Sequence, residues 1–415
     1  MTDYIIIIKI LLDVLNGKNL TNSFAEHINQ TYDKINIAKI KDISYGVIRN
    51  YNILNCIVTK LVAKKPNIKI EIIILIGIYE LKFSKKPEFA VTNEIVNLSY
   101  KVSGRANLKS FVNGVLRNYI RNINTIEIEL GKIEEYNFNF PYWLIGKLKH
   151  DYPKEYKAII ENLNLKPKLG IRINKKVTTI TNYGLKLNEQ LIKFQIIDDK
   201  IVITDSLTIE NIPGFNDGDV SIQDISAQKL IELIKLKPDE YILDACSAPG
   251  GKMCQILENS TSNILGLDID GRRLSKVQQN LTRLKLSANL VIADARKIDW
   301  WNGKSFDTII ADVPCSASGT IKRNPDIKLH RKAGDINDFV KTQREIIQNL
   351  WQMVKPGGQL VYITCSIFKQ ENSSNIEYFT SKFKDMQVEN ELLLLPSPYA
   401  DGFFYCILRK RNEVI

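Results

Sequence analysis

Long apolar stretches fill the first third of the chain and recur at helical spacing over residues 5–15, 24–35, 44–61, 70–83, 90–99 and 108–120. Gly, Pro or Asn separates them, and Pro66 and Pro87 stand just ahead of two, where helix starts tolerate proline. The spacing predicts an all-helical domain. Its last helix sets Phe111, Val112, Val115, Leu116, Tyr119 and Ile120 on an apolar face and Arg117 and Arg121 on a wet one. A polar, acid-leaning connector covers 125–139, and Pro141-Tyr142-Trp143 opens another helical stretch through His150. Residues 167–235 read as a small α+β module. Strand-like runs cover 169–173 and 194–203, turns come from Gly184, Pro213-Gly214 and Asp217-Gly218, and residues 226–236 return to helical period.

From residue 240 the pattern changes. Short apolar runs over 241–244, 264–268, 290–294, 308–312 and 360–364 alternate with helical stretches over 252–257, 272–284 and 336–354. Such alternation predicts a parallel sheet covered on both faces, with ligands at the carboxyl ends of its strands. Four of these runs end in Asp and the fifth runs into Thr364-Cys365. The expected division is 1–124, 125–235 and 236–415.

With 44% hydrophobic and 25% charged residues, the 415-residue chain is neither disordered nor collagen-like. The most apolar stretch, residues 70–81, is interrupted by Glu71 and Glu80 and is too short to span a bilayer. The start lacks a basic leader and a small-residue cleavage site, so no signal peptide and a cytoplasmic location are expected. Six scattered cysteines make no disulfide framework. Without a Cys-x-x-Cys pair and with only three histidines, no metal site is expected. The net charge of +11 is concentrated in residues 1–122, where 18 Lys+Arg face 9 Asp+Glu. That sign attracts phosphate backbones or anionic membranes, although a solvated Lys-rich surface has the same composition.

The loop Asp244-Ala245-Cys246-Ser247-Ala248-Pro249-Gly250-Gly251-Lys252 follows the first of these strands and leads into a helix. Its small residues let backbone approach a ligand closely. It matches neither the dinucleotide fingerprint nor a Walker A loop, which would need Gly at 246 and Ser or Thr at 253. Asp268 stands where such folds grip ribose hydroxyls, and Asp294 within reach of an adenine edge. Each alone could cap a helix; in series beside the glycine loop they favour a nucleoside cofactor. Cys315 and Cys365 follow consecutive strands and would face one crevice if those strands are neighbours. Cys56, Cys254 and Cys406 read as core. The run 322–332 carries five cations and one acid, suited to phosphates at the crevice mouth or to a solvated loop, with His330 a surface or phosphate contact.

The loop 244–252, Asp312-Val313-Pro314-Cys315 and Thr364-Cys365-Ser366 resemble the Sun/NOL/NOP family of RNA cytosine-C5 methyltransferases. So do Asn324-Pro325-Asp326-Ile327-Lys328, Gln370-Glu371-Asn372-Ser373 and Gly402-Phe403-Phe404-Tyr405. Ile78-Tyr79-Glu80-Leu81, Asn93-Glu94 and residues 111–116 resemble the NusB-type helical RNA-binding fold, and 223–228 the approach to the catalytic domain. That order is the order of the family's bacterial RsmB/Sun branch. Ala245 and Ser247 are conservative departures from the family's usual Leu and Ala.

The resemblance implies a NusB-like helical domain, a small α+β RNA-binding module and a Rossmann-like class I methyltransferase domain. It implies S-adenosylmethionine as cofactor, held by Cys246, Ser247, Ala248, Pro249, Gly250, Gly251, Lys252, Asp268, Asp294 and Asp312. It implies a covalent route, in which a thiolate adds to cytosine C6 and makes C5 nucleophilic. Cys365 is then the nucleophile and Cys315 aids product release; Asp312 bonds the cytosine N3/N4 edge, and Lys252 lies near the base and favours the thiolate. DNA cytosine methyltransferases use the Pro-Cys thiol and typically follow it with Gln, where this chain has Ser316. The expected substrate is 16S rRNA, at cytosine 967, either free or in an assembling small subunit. The expected protein is a monomer without membrane or metal partners. The rivals are a tRNA cytosine-C5 methyltransferase and a non-enzymatic NusB-like RNA-binding factor.

Overall fold

The computed structural model describes residues 2–28, 34–205 and 207–412, which fall into two compact units. The first comprises Met1–Asn164 and Ile321–Lys332, and the second Leu165–Thr320 and Ala333–Ile415.

In the first unit the helix Ile68–Phe83 is buried on every side from Ile70 to Glu80, as its unbroken apolar run requires. Helices Thr2–Leu15, Lys34–Arg49, Tyr51–Leu61, Glu88–Ser103 and Ala106–Leu130 surround it. Its two buried acids are answered: Glu80 by Lys86 (2.6 Å) and the Tyr4 hydroxyl (2.7 Å), Glu71 by Lys65 (2.9 Å). The expected helix 44–61 is two helices, because the chain breaks at Asn50 (φ −102°, ψ 16°). The Arg49 carbonyl freed there accepts from Asn139 Nδ2 (2.8 Å) and Lys328 Nζ (2.6 Å). The expected end at residue 120 falls beside a kink at Asn122, beyond which the helix continues to Leu130. The expected 125–139 connector is therefore largely helical, with a further short helix Glu134–Phe138. Of the expected helix 24–35, the structure shows Leu20–His27, while residues 29–33 lie outside the described ones.

The second unit opens with an antiparallel sheet of β1 (Leu169–Ile173), β2 (Phe194–Ile197), β3 (Lys200–Ile203) and β4 (Val220–Ile222), ordered β2-β3-β1-β4. The single run expected over 194–203 is thus a hairpin, turning at Asp198 and Asp199, both at positive φ. The larger sheet holds β5 (Tyr241–Ala245), β6 (Asn263–Asp268), β7 (Asn289–Ile292), β8 (Phe306–Asp312), β9 (Val354–Thr364), β10 (Met386–Leu394) and β11 (Phe403–Lys410). Its order is β10-β11-β9-β8-β5-β6-β7. The first five expected strands pair in parallel, but β11 and β10 add two antiparallel strands, so the sheet is mixed. Strand order reverses at β5, and that reversal opens a crevice at the carboxyl ends. Among the described residues no helix is long and apolar enough to cross a membrane, and no group of three or more His, Cys, Asp or Glu could hold a metal ion.

Arg172 on β1 forms a buried, two-pronged pair with Glu258 (2.9 and 2.8 Å) and donates to the Gly251 carbonyl (2.6 Å). The small sheet thereby braces the glycine loop. Arg172→Met strands a buried carboxylate and is expected to cost about 3–5 kcal/mol in urea unfolding. Arg172→Met/Glu258→Leu should recover most of that loss; a fully exposed pair would show neither effect.

Candidate active site

The loop after β5 turns on Cys246 at φ +62°, a left-handed conformation that a side chain adopts only under local constraint. Ser247 N–H donates to the Leu267 carbonyl (2.9 Å), which ties the loop to β6. Gly250, at φ +94°, opens the helix Gly251–Asn259, and a Cβ there would stand 2.9 Å from Val277. Burial, followed by the charges of Asp312, Asp268 and Asp244, pushes the Cys246 thiol far up and disfavours a thiolate there.

Asp268 is buried at the end of β6. Its carboxylate accepts the Ala248 N–H (3.2 Å) and the Asp270 N–H (3.0 Å), with Arg273 at 3.6 Å. Each oxygen keeps a lone pair for a further donor. Asp294 lies two residues past β7 and is gripped by Arg296 (2.7 Å), which lowers its carboxyl pKa. Lys252 Nζ meets Asp312 Oδ2 at 2.5 Å and stands 5.4 Å from the Phe403 ring. Burial pulls the Lys252 pKa down, but the Asp312 carboxylate outweighs it and leaves the ammonium above the ordinary lysine value. Cys365 contributes to the same effect, so the ammonium is within electrostatic range of that thiol.

β8 and β9 are parallel neighbours, paired through Asp312↔Ile363. Just beyond that pair, Cys315 Sγ and Cys365 Sγ lie 3.4 Å apart, in contact but well beyond the ~2.05 Å of a disulfide. Gly319 permits the approach. A Cβ on it would stand 2.3 Å from the Gly402 carbonyl oxygen and 2.8 Å from that of Cys365. Cys254 and Cys406 are buried and Cys56 is half-buried.

Sequence reasoning passed over one residue. Both Asp244 oxygens are buried and unpartnered, as is Ser247 Oγ. Burial, opposed by Lys252 and reinforced by Asp312 and Asp268, lifts the Asp244 carboxyl to about 8. Orphaned acceptors in a glycine-lined crevice fit a ligand that brings donors, as the amino and hydroxyl groups of S-adenosylmethionine would. The signal was available: Asp244 ends the central strand just ahead of the loop.

The basic run 322–332 is notable for its burial. It folds with the helical unit, where Lys322 and Lys328 are buried. Lys328 Nζ donates to the carbonyls of Arg49 (2.6 Å) and Asn139 (2.9 Å), and burial, then Arg49, drives its pKa well down. His330 Nε2 lies 2.8 Å from the Val14 carbonyl oxygen rather than free at the surface. Backbone carbonyls take the Lys328 donors.

The family model for 16S rRNA methyltransferase RsmB/F matches residues 231–408, that of the NusB family residues 4–121, and that of the RsmF/B-like ferredoxin-like domain residues 140–210. The chain is 36% identical over 390 residues to ribosomal RNA small subunit methyltransferase B of Vibrio cholerae, covering 90% of each protein. This chain belongs to the RsmB/F family of 16S rRNA methyltransferases. The Proteus mirabilis RsmB/F relative, also a ribosomal RNA small subunit methyltransferase B, is 35% identical over 97% of both chains. The crystal structure of PH0851 shares the RsmB/F fold seen here, with a TM-score of 0.80 over 98% of both chains at 21% identity. The resemblance read from the motifs is borne out, as is the three-part fold.

Asp244 also generates a pH prediction. Its folded-state value of about 8 exceeds the ordinary 3.8, so between those values the folded chain keeps a proton that the unfolded chain has released. Stability from this group is full below about pH 4 and declines towards pH 8. Asp244→Asn should match wild type in melting temperature near pH 4 and exceed it by a few degrees near pH 8. Parallel curves for the two ligand-free proteins would contradict the assignment.

Proposed function

We propose that this protein transfers a methyl group from S-adenosylmethionine to C5 of a cytosine in 16S rRNA, cytosine 967, through a covalent bond between Cys365 and C6. The carrying observation is the pair of thiols 3.4 Å apart beside the Lys252–Asp312 ion pair. Methylation at cytosine C5 is an electrophilic substitution on an unactivated ring carbon, and a thiolate adding at C6 supplies the electron density it lacks.

S-adenosylmethionine supplies an electrophilic methyl carbon. Residues 246–252 with Asp268, Asp294 and Asp312 would hold it, and the orphaned Asp244 and Ser247 oxygens would add acceptors. The Cys365 Sγ lone pair forms the bond to C6 while Asp312 bonds the N3/N4 edge and steadies the proton there. The electron pair moved onto C5 would take the methyl carbon as its bond to the sulfonium sulfur breaks, leaving that pair on S-adenosylhomocysteine. Loss of the C5 proton to water restores the C5–C6 double bond, and the C6–S electron pair returns to Cys365. Cys315, in contact with that sulfur, aids the release. Lys252 orients Asp312 and favours the thiolate.

Residues 1–124 and 125–235 dock the RNA in this reading, and residues 236–415 carry out the chemistry. The protein acts as a cytoplasmic monomer on rRNA or an assembling small subunit. The excess positive charge of residues 1–122 supports the docking role.

Wild type, Cys365→Ala and Cys315→Ala are to be incubated with labelled cofactor and unmodified small-subunit rRNA, run on a denaturing gel and mapped by bisulfite sequencing. Wild type should methylate one cytosine, Cys365→Ala should give neither product nor adduct, and Cys315→Ala should stall as a covalent protein–RNA band. Activity in Cys365→Ala with none in Cys315→Ala would reverse the thiols. Transfer to tRNA alone would move the substrate, and no transfer to any RNA would leave an RNA-binding factor.

A further inference from the structure

Six residues after Cys365, Glu371 is fully buried and takes no part in the reaction outlined above. Its carboxylate receives four donors. Oε1 accepts from the Ser316 backbone N–H (2.8 Å) and Gln343 Nε2 (3.0 Å), and Oε2 from the Ser316 and Ser366 hydroxyls, both at 2.5 Å. Four donors on four lone-pair sites define an ionised, acceptor-only group. Burying a charge is costly unless it is answered in this way.

The donors come from the residues next to the thiols. Ser316 follows Cys315 and Ser366 follows Cys365, while Gln343 also donates to the Pro314 carbonyl (3.0 Å) on the other side of Cys315. Ser318 Oγ, 3.2 Å from Ser316 Oγ and 3.1 Å from Ser366 Oγ, links the two loops again. The β8–β9 ladder register ends at Asp312↔Ile363. Past it, the two loops are joined by the Gly319 N–H to the Cys365 carbonyl (2.9 Å) and by this buried carboxylate.

We propose that Glu371 is a positioning residue for the two-thiol reaction, an inference that rests on the reading above. By tying Ser316 to Ser366 it fixes the sulfur–sulfur contact, and its negative charge keeps the shared proton on Cys315. The charges around the pair are asymmetric. Lys252, held by Asp312, acts on Cys365, whereas Glu371 acts on Cys315. The Cys315 thiol is held well above its ordinary range, first by the Cys365 sulfur, then by burial and the charges of Cys365 and Glu371. The Tyr362 and Tyr405 phenols also face the pair, and burial keeps both neutral. Cys315 therefore keeps its proton to higher pH than an ordinary thiol, and Cys365 is the sulfur beside the ammonium.

Residue-resolved alkylation by iodoacetamide, read by mass spectrometry on the full chain across pH, tests this. In wild type Cys365 should react first and Cys315 only at higher pH. Glu371→Gln keeps the shape and removes the charge. It should lower the Cys365-to-Cys315 rate ratio near pH 8 by about tenfold, the effect of one pKa unit. An unchanged ratio in folded Glu371→Gln overturns the proposal. Should that variant not fold, Glu371→Asp carries the test, since it keeps the charge and withdraws it by one methylene. Cys365-first alkylation should persist while methyl transfer falls about tenfold or more, as misplacement of a reacting group predicts; full methyl transfer overturns the proposal. Alkylation uses neither RNA nor cofactor, so its failure leaves the Cys365 assignment intact. That assignment falls only if Cys365→Ala still methylates.

Discussion

Two thiols fifty positions apart in the chain meet because β8 and β9 pair in parallel immediately beside the strand where sheet order reverses. Parallel strands with faces covered by helices must be apolar on both sides, and Thr308–Ala311 and Leu360–Ile363 meet that demand with fully buried residues. Once these strands are in register, their polar continuations can only emerge at the same end of the sheet. The sulfur contact follows from that pairing, and the ion pair of Lys252 with Asp312 from the parallel β5–β8 pairing beside it.

Around the pairing, buried charge is answered almost everywhere. Arg172 and Glu258 satisfy one another and brace the glycine loop through Gly251. Asp268 is held by backbone amides, and Glu371 by two serines and a glutamine. Asp244 departs from this rule, with both oxygens buried and unpartnered at the end of the central strand. Two open acceptors on one carboxylate at the mouth of a glycine loop fit a ligand that brings donors.

The helical unit uses the same chemistry for a different end. A helix break at Asn50 frees the Arg49 carbonyl, and Lys328 and Asn139 fill it. The lysine is held by carbonyl oxygens rather than by a carboxylate, so its charge is disfavoured by burial and by Arg49 nearby. A residue type associated with solvent or phosphate here does structural work inside a bundle.

Periodicity along the chain sufficed for the helical first third, for the five parallel strands and for the glycine loop, because each depends on neighbours within a few residues. The strand β10 escaped notice because Met386–Leu394 is largely exposed and polar along its first half, so it carries no buried-strand signature, whereas β11 is a buried apolar run whose signal was available. The break at Asn50 and the burial of Lys322 and Lys328 were equally illegible, since local composition reports charge but not the partner that will receive it. Cys315 and Cys365 could be named from their motifs, yet their 3.4 Å contact and the Glu371 carboxylate between their loops belong to strand pairing. Local rules fix which segments become strands and helices. Contacts between residues fifty or several hundred positions apart fix which polar groups lose their water and what replaces it.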